Sequence, residues 1–162
     1  MQKLPEKLVT VDELSGLITS HREQNEKIVW TNGCFDILHV GHVEYLEGAK
    51  KLGDYLVVGL NSDHSTRALK GAGRPIFSEV ARSKVLSAVQ YIDYVLIFDE
   101  PSPLKMLEFL KPDFYVKGGD YDIDTIDQQE RRCVEGYGGK IVILPLVKGA
   151  STTEIIEKIN RL

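Results

Sequence analysis

The sequence predicts an α/β fold: an open parallel five-stranded sheet with helices on both faces. Three observations carry that prediction. Five short runs rich in Val, Ile, Tyr and Phe alternate with helix-like segments along the chain. The runs are apolar throughout, as strands covered on both faces are, and do not alternate like strands with one wet face. The stretches between them are long enough to hold the crossover helices that parallel neighbours require. A chain of 162 residues suits a single domain, 1–162, in which an N-terminal helical extension (1–26) precedes the core (27–162).

Each element has its own signal. Thr10 followed by Glu13 is a capping box that opens a first helix ending near Glu23. The first strand is 28-IVWT-31. Val43 to Leu52 reads as a second helix, with Gly53 expected to end it in the left-handed conformation. The second strand is 55-YLVVGLN-61, and a polar linker follows it. Ser78 to Tyr91 reads as a third helix, with Val80, Val85, Leu86 and Val89 near helical spacing. After the third strand, 94-YVLIF-98, Ser102 and Pro103 form the N-cap and first turn of a fourth helix carrying Leu104, Leu107 and Leu110 inward. The fourth strand is 114-FYVKG-118, and the next connection contains a helix around Thr125 to Glu135. The fifth strand, 140-KIVILP-145, leads to a last helix from Ser151 to Ile159.

Bulk composition narrows the function. Net charge is −4, which argues against a nucleic-acid backbone as partner, since that usually needs a broad basic face. No segment approaches the length of a membrane span, and the start, MQKLPEKLVTVDEL, has no apolar signal core, so neither a membrane partner nor export is indicated. Cys34 and Cys133 are too few for a disulfide framework, and a reduced, cytoplasmic setting is the simplest reading. The apolar sheet edges and the helical extension are compatible with a homodimer.

Open sheets of this kind bind ligands beyond the carboxyl ends of their strands. Polar, Gly-rich stretches follow strand one (Asn32, Gly33, Asp36, His39, His42), strand two (Asn61, Ser62, Asp63), strand four (Lys117 to Tyr121) and strand five (Lys148 to Thr153). They are expected to converge on one cleft.

The chemistry of these stretches suits an anion. In 39-HVGH-42 the glycine lets backbone approach a ligand, and the following helix start offers free N–H groups and a positive dipole end. Two imidazoles there can donate to phosphate oxygens and offset charge that grows in a transition state. A metal is the weaker alternative, because only Asp36 stands nearby. Histidines that merely cap the helix or sit satisfied in the core are the third reading, and residue chemistry alone leaves all three open. Ser151 and Glu154 form a capping box, yet three consecutive hydroxyls (Ser151, Thr152, Thr153) exceed what a cap needs and can make a second anion cradle. In 117-KGGDY-121, Lys117 can neutralise a phosphate, Gly118 and Gly119 permit close approach, and Asp120 can hold a ribose hydroxyl or magnesium; a solvated glycine turn is the plainer reading. Among Arg67, Lys70, Arg74 and Arg82, a linker folded over the cleft would bring Lys70 to a triphosphate and Arg82 to a second phosphate. Cys34 has no base beside it and reads as a packing residue.

With these residues assembled, the chain resembles the cytidylyltransferase-like nucleotidyltransferase superfamily. The carriers are 39-HVGH-42 after the first strand and 151-STT-153 at the last helix. Within it, the chain looks most like the bacterial D-glycero-β-D-manno-heptose 1-phosphate adenylyltransferases, through 31-TNGCFDILHVGHVEYL-46, 52-LGDYLVVGLNSD-63, 69-LKGAGRPI-76, 116-VKGGDY-121 and 144-LPLVKGASTTEII-156. The likeness covers essentially residues 27–159. There are departures: Lys148 stands where relatives often have Arg, Phe77 where Asn is common, and 122–136 lacks a Val-Gly pair expected after KGGDY. Many relatives carry a sugar kinase half before this one, and the expectation here is a stand-alone transferase.

The resemblance implies a Rossmann-like nucleotidylyl transferase fold. It also implies ATP as a substrate, magnesium held chiefly by phosphate oxygens with Asp36 as a candidate ligand, and a sugar 1-phosphate as second substrate. His39 and His42 would stabilise transition-state charge, with Lys70 and Lys148 on the leaving pyrophosphate. Asn32, Gly33, Cys34, Phe35, Gly41, Gly118, Asp120, Ser151, Thr152 and Thr153 would contact nucleotide. Lys117 and Arg82 would hold the sugar phosphate, and the product would be ADP-heptose for lipopolysaccharide core synthesis.

Overall fold

A computed structural model describes residues 7–119, 121–145, 147 and 151–162. Two of the candidate residues, Asp120 and Lys148, therefore lie outside the described residues, as does Gly149. Five parallel strands, β1 (Ile28–Gly33), β2 (Tyr55–Asn61), β3 (Tyr94–Phe98), β4 (Phe114–Gly118) and β5 (Lys140–Leu144), form one sheet in the order β3-β2-β1-β4-β5. The helices are α1 (Val11–Glu23), α2 (Val40–Lys50), α3 (Asp63–Lys70), α4 (Glu79–Ser87), α5 (Leu104–Leu110), α6 (Gln128–Gly136) and α7 (Thr152–Ile159). The fold class is the one the sequence predicts.

Alternation along the strands divides the core into two layers. Val29, Leu56, Val58, Leu60, Val95 and Val116 pack with Leu46 and Ala49 of α2 and Leu86 of α4. Ile28, Trp30, Val57, Leu96 and Tyr115 take the other face, against Leu14 and Ile18 of α1, Leu107 and Leu110 of α5, and Val134 of α6. Burying each of the larger apolar side chains is worth about 1.5–3 kcal/mol, so both faces of the sheet must be covered. The first helix is built into the second layer by Leu14 and Ile18, and its capping box forms as expected, Thr10 accepting from the Glu13 N–H and Glu13 from the Thr10 N–H.

The sheet order places the topological switch between β1 and β4. The chain runs outward from β1 to β3, then returns to the other side of β1 for β4 and β5. Helices leaving the carboxyl ends of β1 and β4 go to opposite faces, which opens a crevice there.

Local differences from the sequence reading have identifiable causes. The second helix begins at Val40, three residues earlier than expected, so His39 is its N-cap and His42 sits in its first turn. Gly53 does not adopt a left-handed conformation. It is required by proximity, since a Cβ there would come within 2.8 Å of the Lys27 carbonyl oxygen. The linker after β2 contains a helix, α3, that periodicity cannot detect because DHSTRALK has almost no apolar residues. Its local signal is the N-cap Ser62, which accepts from the Ser65 N–H. The following helix ends at Ser87 and not at Tyr91.

Candidate active site

A cleft of about 430 Å³ opens at the carboxyl ends of β1 and β4. Its floor is the segment after β1: Asn32, Gly33, Cys34, Phe35 and Asp36. One wall is the start of α2, with His39, Gly41 and His42; another is the start of α7, with Ser151, Thr152 and Thr153. Gly118 closes the β4 side, and Lys70 at the end of α3 and Arg74 on the linker between α3 and α4 reach in. Of the site residues that the resemblance implies and the structure describes, the cleft gathers all but Lys117 and Arg82.

The floor is shaped by close packing. Phe35 adopts a left-handed backbone, φ 44°, uncommon for a residue with a Cβ. This turns its ring under His42, with centroids 5.3 Å apart, and against Gly33, where a Cβ would lie 3.1 Å from the ring. Asn32 accepts on its side-chain oxygen from the Trp30 indole N–H at 3.2 Å, which orients its amide.

The two histidines stack, with ring centroids 3.9 Å apart. The Nδ1 atom of His42 accepts the His39 backbone N–H at 3.4 Å. Burial, assisted by the charge of His39, pushes the His42 pKa down to about 4. His42 is therefore neutral near pH 7, and with Nδ1 accepting it carries its proton on Nε2, a hydrogen-bond donor. Burial also lowers the His39 pKa, and its buried Nδ1 has no hydrogen-bond partner among the described residues. That orphaned nitrogen and the unpaired N–H groups of the first turn of α2 give this wall a surplus of polar groups for a ligand.

The second helix start is tied to the first. Thr152 donates its hydroxyl to the Ile37 carbonyl at 3.3 Å, holding α7 against the loop that leads into α2. Ser151 accepts the Glu154 N–H at 3.0 Å, so its hydroxyl proton remains available. Two helix N-termini thus face one cleft, an arrangement that attracts a multiply charged anion.

Several expectations are corrected by the geometry. Arg82 is not a phosphate ligand: its side chain is fully buried. Its guanidinium donates to the carbonyls of Phe77 (2.9 Å), Cys34 (2.6 Å) and Asn61 (2.9 Å) and to Asp63 (2.8 Å). It is a latch that holds the post-β1 loop, the end of β2 and the linker together. The Asp36 carboxylate is already engaged by donors of the protein itself. It accepts from Arg74 Nε (2.6 Å) and from the N–H groups of Ile76 (2.8 Å) and Phe77 (3.0 Å). Burial acts to raise the Asp36 pKa, but these donors outweigh it and hold the carboxyl below its usual value. Lys117 projects to the α6 face, where it pairs with the buried Glu130 at 3.1 Å, between the rings of Tyr115 and Tyr121. Nor does the stretch after β2 reach the cleft. Asn61 and Ser62 are buried in bonds to Ser65 and Asp99, and Asp63 joins Arg82.

No cluster of three or more His, Cys, Asp or Glu side chains suited to a metal exists among the described residues.

Sequence reasoning missed Tyr45 and named Arg74 among the linker cations without giving it a role. Tyr45 sits on what reads as a core face of α2, yet its ring also borders the cleft. Its hydroxyl hydrogen-bonds Thr31 at 2.6 Å and donates to the Val116 carbonyl at 3.0 Å, joining β1 to β4 across the switch. Arg74 gave a signal that was available, a cation between a flexible Gly-rich stretch and a proline.

Comparison with known proteins agrees with this geometry. The profile of the cytidylyltransferase-like family matches residues 30–158. The bifunctional protein HldE of Geobacter metallireducens is 51% identical over 155 residues, covering 96% of this chain and 31% of that protein. HldE of Geobacter sulfurreducens is 50% identical over 153 residues, with 94% and 31% covered. The chain thus spans about a third of the length of these curated relatives. Among solved structures, a lipopolysaccharide core biosynthesis protein from Thermoplasma volcanium superposes with a TM-score of 0.62 at 32% identity, covering 77% of this chain and 99% of that one. A pantoate-beta-alanine ligase from Francisella tularensis, 16% identical with a TM-score of 0.62, shares the fold.

Proposed function

This chain belongs to the cytidylyltransferase-like family, and from that premise we propose that it transfers an adenylyl group from ATP to D-glycero-β-D-manno-heptose 1-phosphate. The products are ADP-heptose and pyrophosphate, and the use is lipopolysaccharide core synthesis. The observation that carries the reading is the convergence of two helix N-termini and the stacked His39–His42 pair on one cleft, in a chain half identical to HldE proteins over most of its length.

In this reading the triphosphate lies between the starts of α2 and α7. A phosphate oxygen of the sugar 1-phosphate attacks the α-phosphorus in line, the bond to the bridging oxygen breaks, and pyrophosphate leaves with the electron pair. No protein nucleophile is required, so positioning and charge stabilisation supply the catalysis. Neutral His42 donates from Nε2 to a non-bridging oxygen as negative charge builds there, and His39 assists. Ser151, Thr152 and Thr153 hold phosphate oxygens with hydroxyls and backbone N–H groups, and Lys70 draws the leaving pyrophosphate. Magnesium would arrive on the triphosphate, held chiefly by phosphate oxygens, and would neutralise part of their charge.

The same reading treats residues 1–162 as one catalytic unit, and it sets the activity in the cytoplasm, supported by the two unpaired cysteines. No helix among the described residues is long and apolar enough to cross a membrane. A homodimer is the accompanying expectation for assembly, which light scattering on the free chain checks.

Pyrophosphate release tests the function, measured with ATP or CTP against heptose 1-phosphate, glycerol 3-phosphate and FMN. Turnover is expected with ATP and heptose 1-phosphate. Turnover only with CTP and glycerol 3-phosphate, or only with FMN, would move the chain to a sibling enzyme. No turnover with any pair would leave a nucleotide-binding module.

A further inference from the structure

We propose that Arg74, held in place by Asp36, is the guanidinium that grips the pyrophosphoryl end of the bound triphosphate. The inference deepens the reading above and rests on it for the identity of the nucleotide.

Arg74 lines the cleft on the same wall as Lys70. Its side chain is 20% exposed, whereas the Asp36 side chain facing it is 1% exposed. The contact uses only Nε, which donates to Asp36 Oδ2 at 2.6 Å. Among the described residues, no hydrogen bond engages either terminal nitrogen of Arg74. One edge of the guanidinium is therefore fixed while four N–H groups remain for a ligand, in the planar fork that matches phosphate oxygens. Asp36 also accepts from the N–H groups of Ile76 and Phe77, so it fixes the backbone that carries the arginine as well as the side chain itself. Two cations on one wall, opposite two helix N-termini, suit the part of the substrate with most charge. That part is the β- and γ-phosphates, which depart together.

Arg82, placed on the sugar phosphate by the sequence reading, is removed from the cleft by its burial. Its latch to the carbonyls of Phe77 and Cys34 instead supports both ends of the Asp36–Arg74 contact. Asp36 is accordingly a positioning residue, acting through Arg74.

The test is calorimetric titration of the folded protein with inorganic pyrophosphate, for wild type, Arg74→Met, Asp36→Asn and the double variant. Losing a charge-assisted fork should weaken pyrophosphate binding about 10- to 100-fold in Arg74→Met. Asp36→Asn should weaken it less, and in the Arg74→Met background Asp36→Asn should have no further effect. Thermal melting checks that each variant folds, and Arg74→Lys, which keeps charge but loses the fork, should fall between wild type and Met. Pyrophosphate binding by Arg74→Met within twofold of wild type overturns the proposal. So does an effect confined to KM for the sugar phosphate, or additive losses in the double variant. Pyrophosphate binding does not depend on which nucleotide or sugar is used, so failure of the proposed activity and failure of this inference are separable.

Discussion

His42 accepts the backbone N–H of His39 on its Nδ1 atom, and the two imidazoles stack with centroids 3.9 Å apart. This contact determines what His42 can do. With Nδ1 engaged as an acceptor, the proton of the neutral ring belongs on Nε2, and the residue meets a phosphate as a donor without a net charge of its own. Replacing it by alanine removes a donor whose worth rises as the transferring phosphate gathers charge. His42→Ala should lower kcat by about 100- to 1,000-fold while KM for ATP moves little. Steady-state pyrophosphate release measures both; equal turnover in mutant and wild type would remove His42 from the chemistry.

The same burial predicts how stability depends on acid. The folded-state pKa of His42 is about 4, below the ordinary 6.5, so in that window the unfolded chain binds a proton that the folded chain does not. The contribution of the neutral ring is complete above about pH 6.5 and is lost as pH falls toward 4. Other carboxylates also titrate in acid, so the informative quantity is a difference. Urea midpoints of wild type and His42→Gln should converge on going from pH 7 to pH 4.5, because only wild type has an imidazole to protonate. A difference that stays constant across the window would contradict a buried neutral ring.

The parts of this molecule that a sequence reveals are those governed by period and by end signals. The five strands were legible because each is a short run covered on both faces, and the α7 start because Ser151-Thr152-Thr153 sits at a strand exit. The α2 start reads three residues late, since His39-Val40-Gly41-His42 has too little apolar period to show that the helix already runs through it. Burial is where legibility ends. Arg82 and Asp36 look like free charges in sequence, and nothing local says that one is enclosed by three carbonyls and the other by two backbone N–H groups and an arginine. Apart from Phe77, those partners lie far away in sequence, on β2, the post-β1 loop and the linker. Lys117 shows the same limit. Its position one residue before Gly118 puts it on the opposite side of β4 from the cleft, where Glu130 claims it.

Arg82 gives the sharpest stability test. It is a buried cation with one carboxylate partner and three carbonyl acceptors, so truncation leaves Asp63 without its arginine and three oxygens without donors. Arg82→Ala should cost about 3–5 kcal/mol in denaturant unfolding at neutral pH. Arg82→Lys should recover little, because an ammonium cannot reach the same four acceptors from one point. A loss below about 1 kcal/mol, the range of surface ion pairs, would mean the latch is not formed.

Gly118 tests the packing of the switch. A Cβ at this position would lie 2.7 Å from the Tyr45 ring, which its hydroxyl anchors to Thr31 and to the Val116 carbonyl. The ring has little room to yield, so Gly118→Ala should destabilise the fold by about 1–3 kcal/mol and raise KM for ATP by displacing Tyr45 at the cleft border. Combining it with Tyr45→Leu, which shortens the obstructing side chain, should recover part of the stability. If Gly118→Ala melts at the wild-type temperature with unchanged KM, the close approach does not constrain the site.

Ser151 and Thr152 separate capping from ligand binding at the second helix start. Ser151 caps α7 by accepting the Glu154 N–H, and loss of such a cap costs about 1 kcal/mol. Ser151→Ala should therefore melt a few degrees lower, yet lose less than tenfold in turnover, because Thr152, Thr153 and the backbone N–H groups remain. Thr152→Val removes the bond to the Ile37 carbonyl, the tie between the two helix starts, and should raise KM for ATP more than Ser151→Ala does. Kinetics normalised to the folded fraction decide the matter. If neither variant changes KM or kcat per folded molecule while Ser151→Ala still melts lower, the hydroxyls serve the helix alone, and the triphosphate is held by backbone and by the α2 side of the cleft.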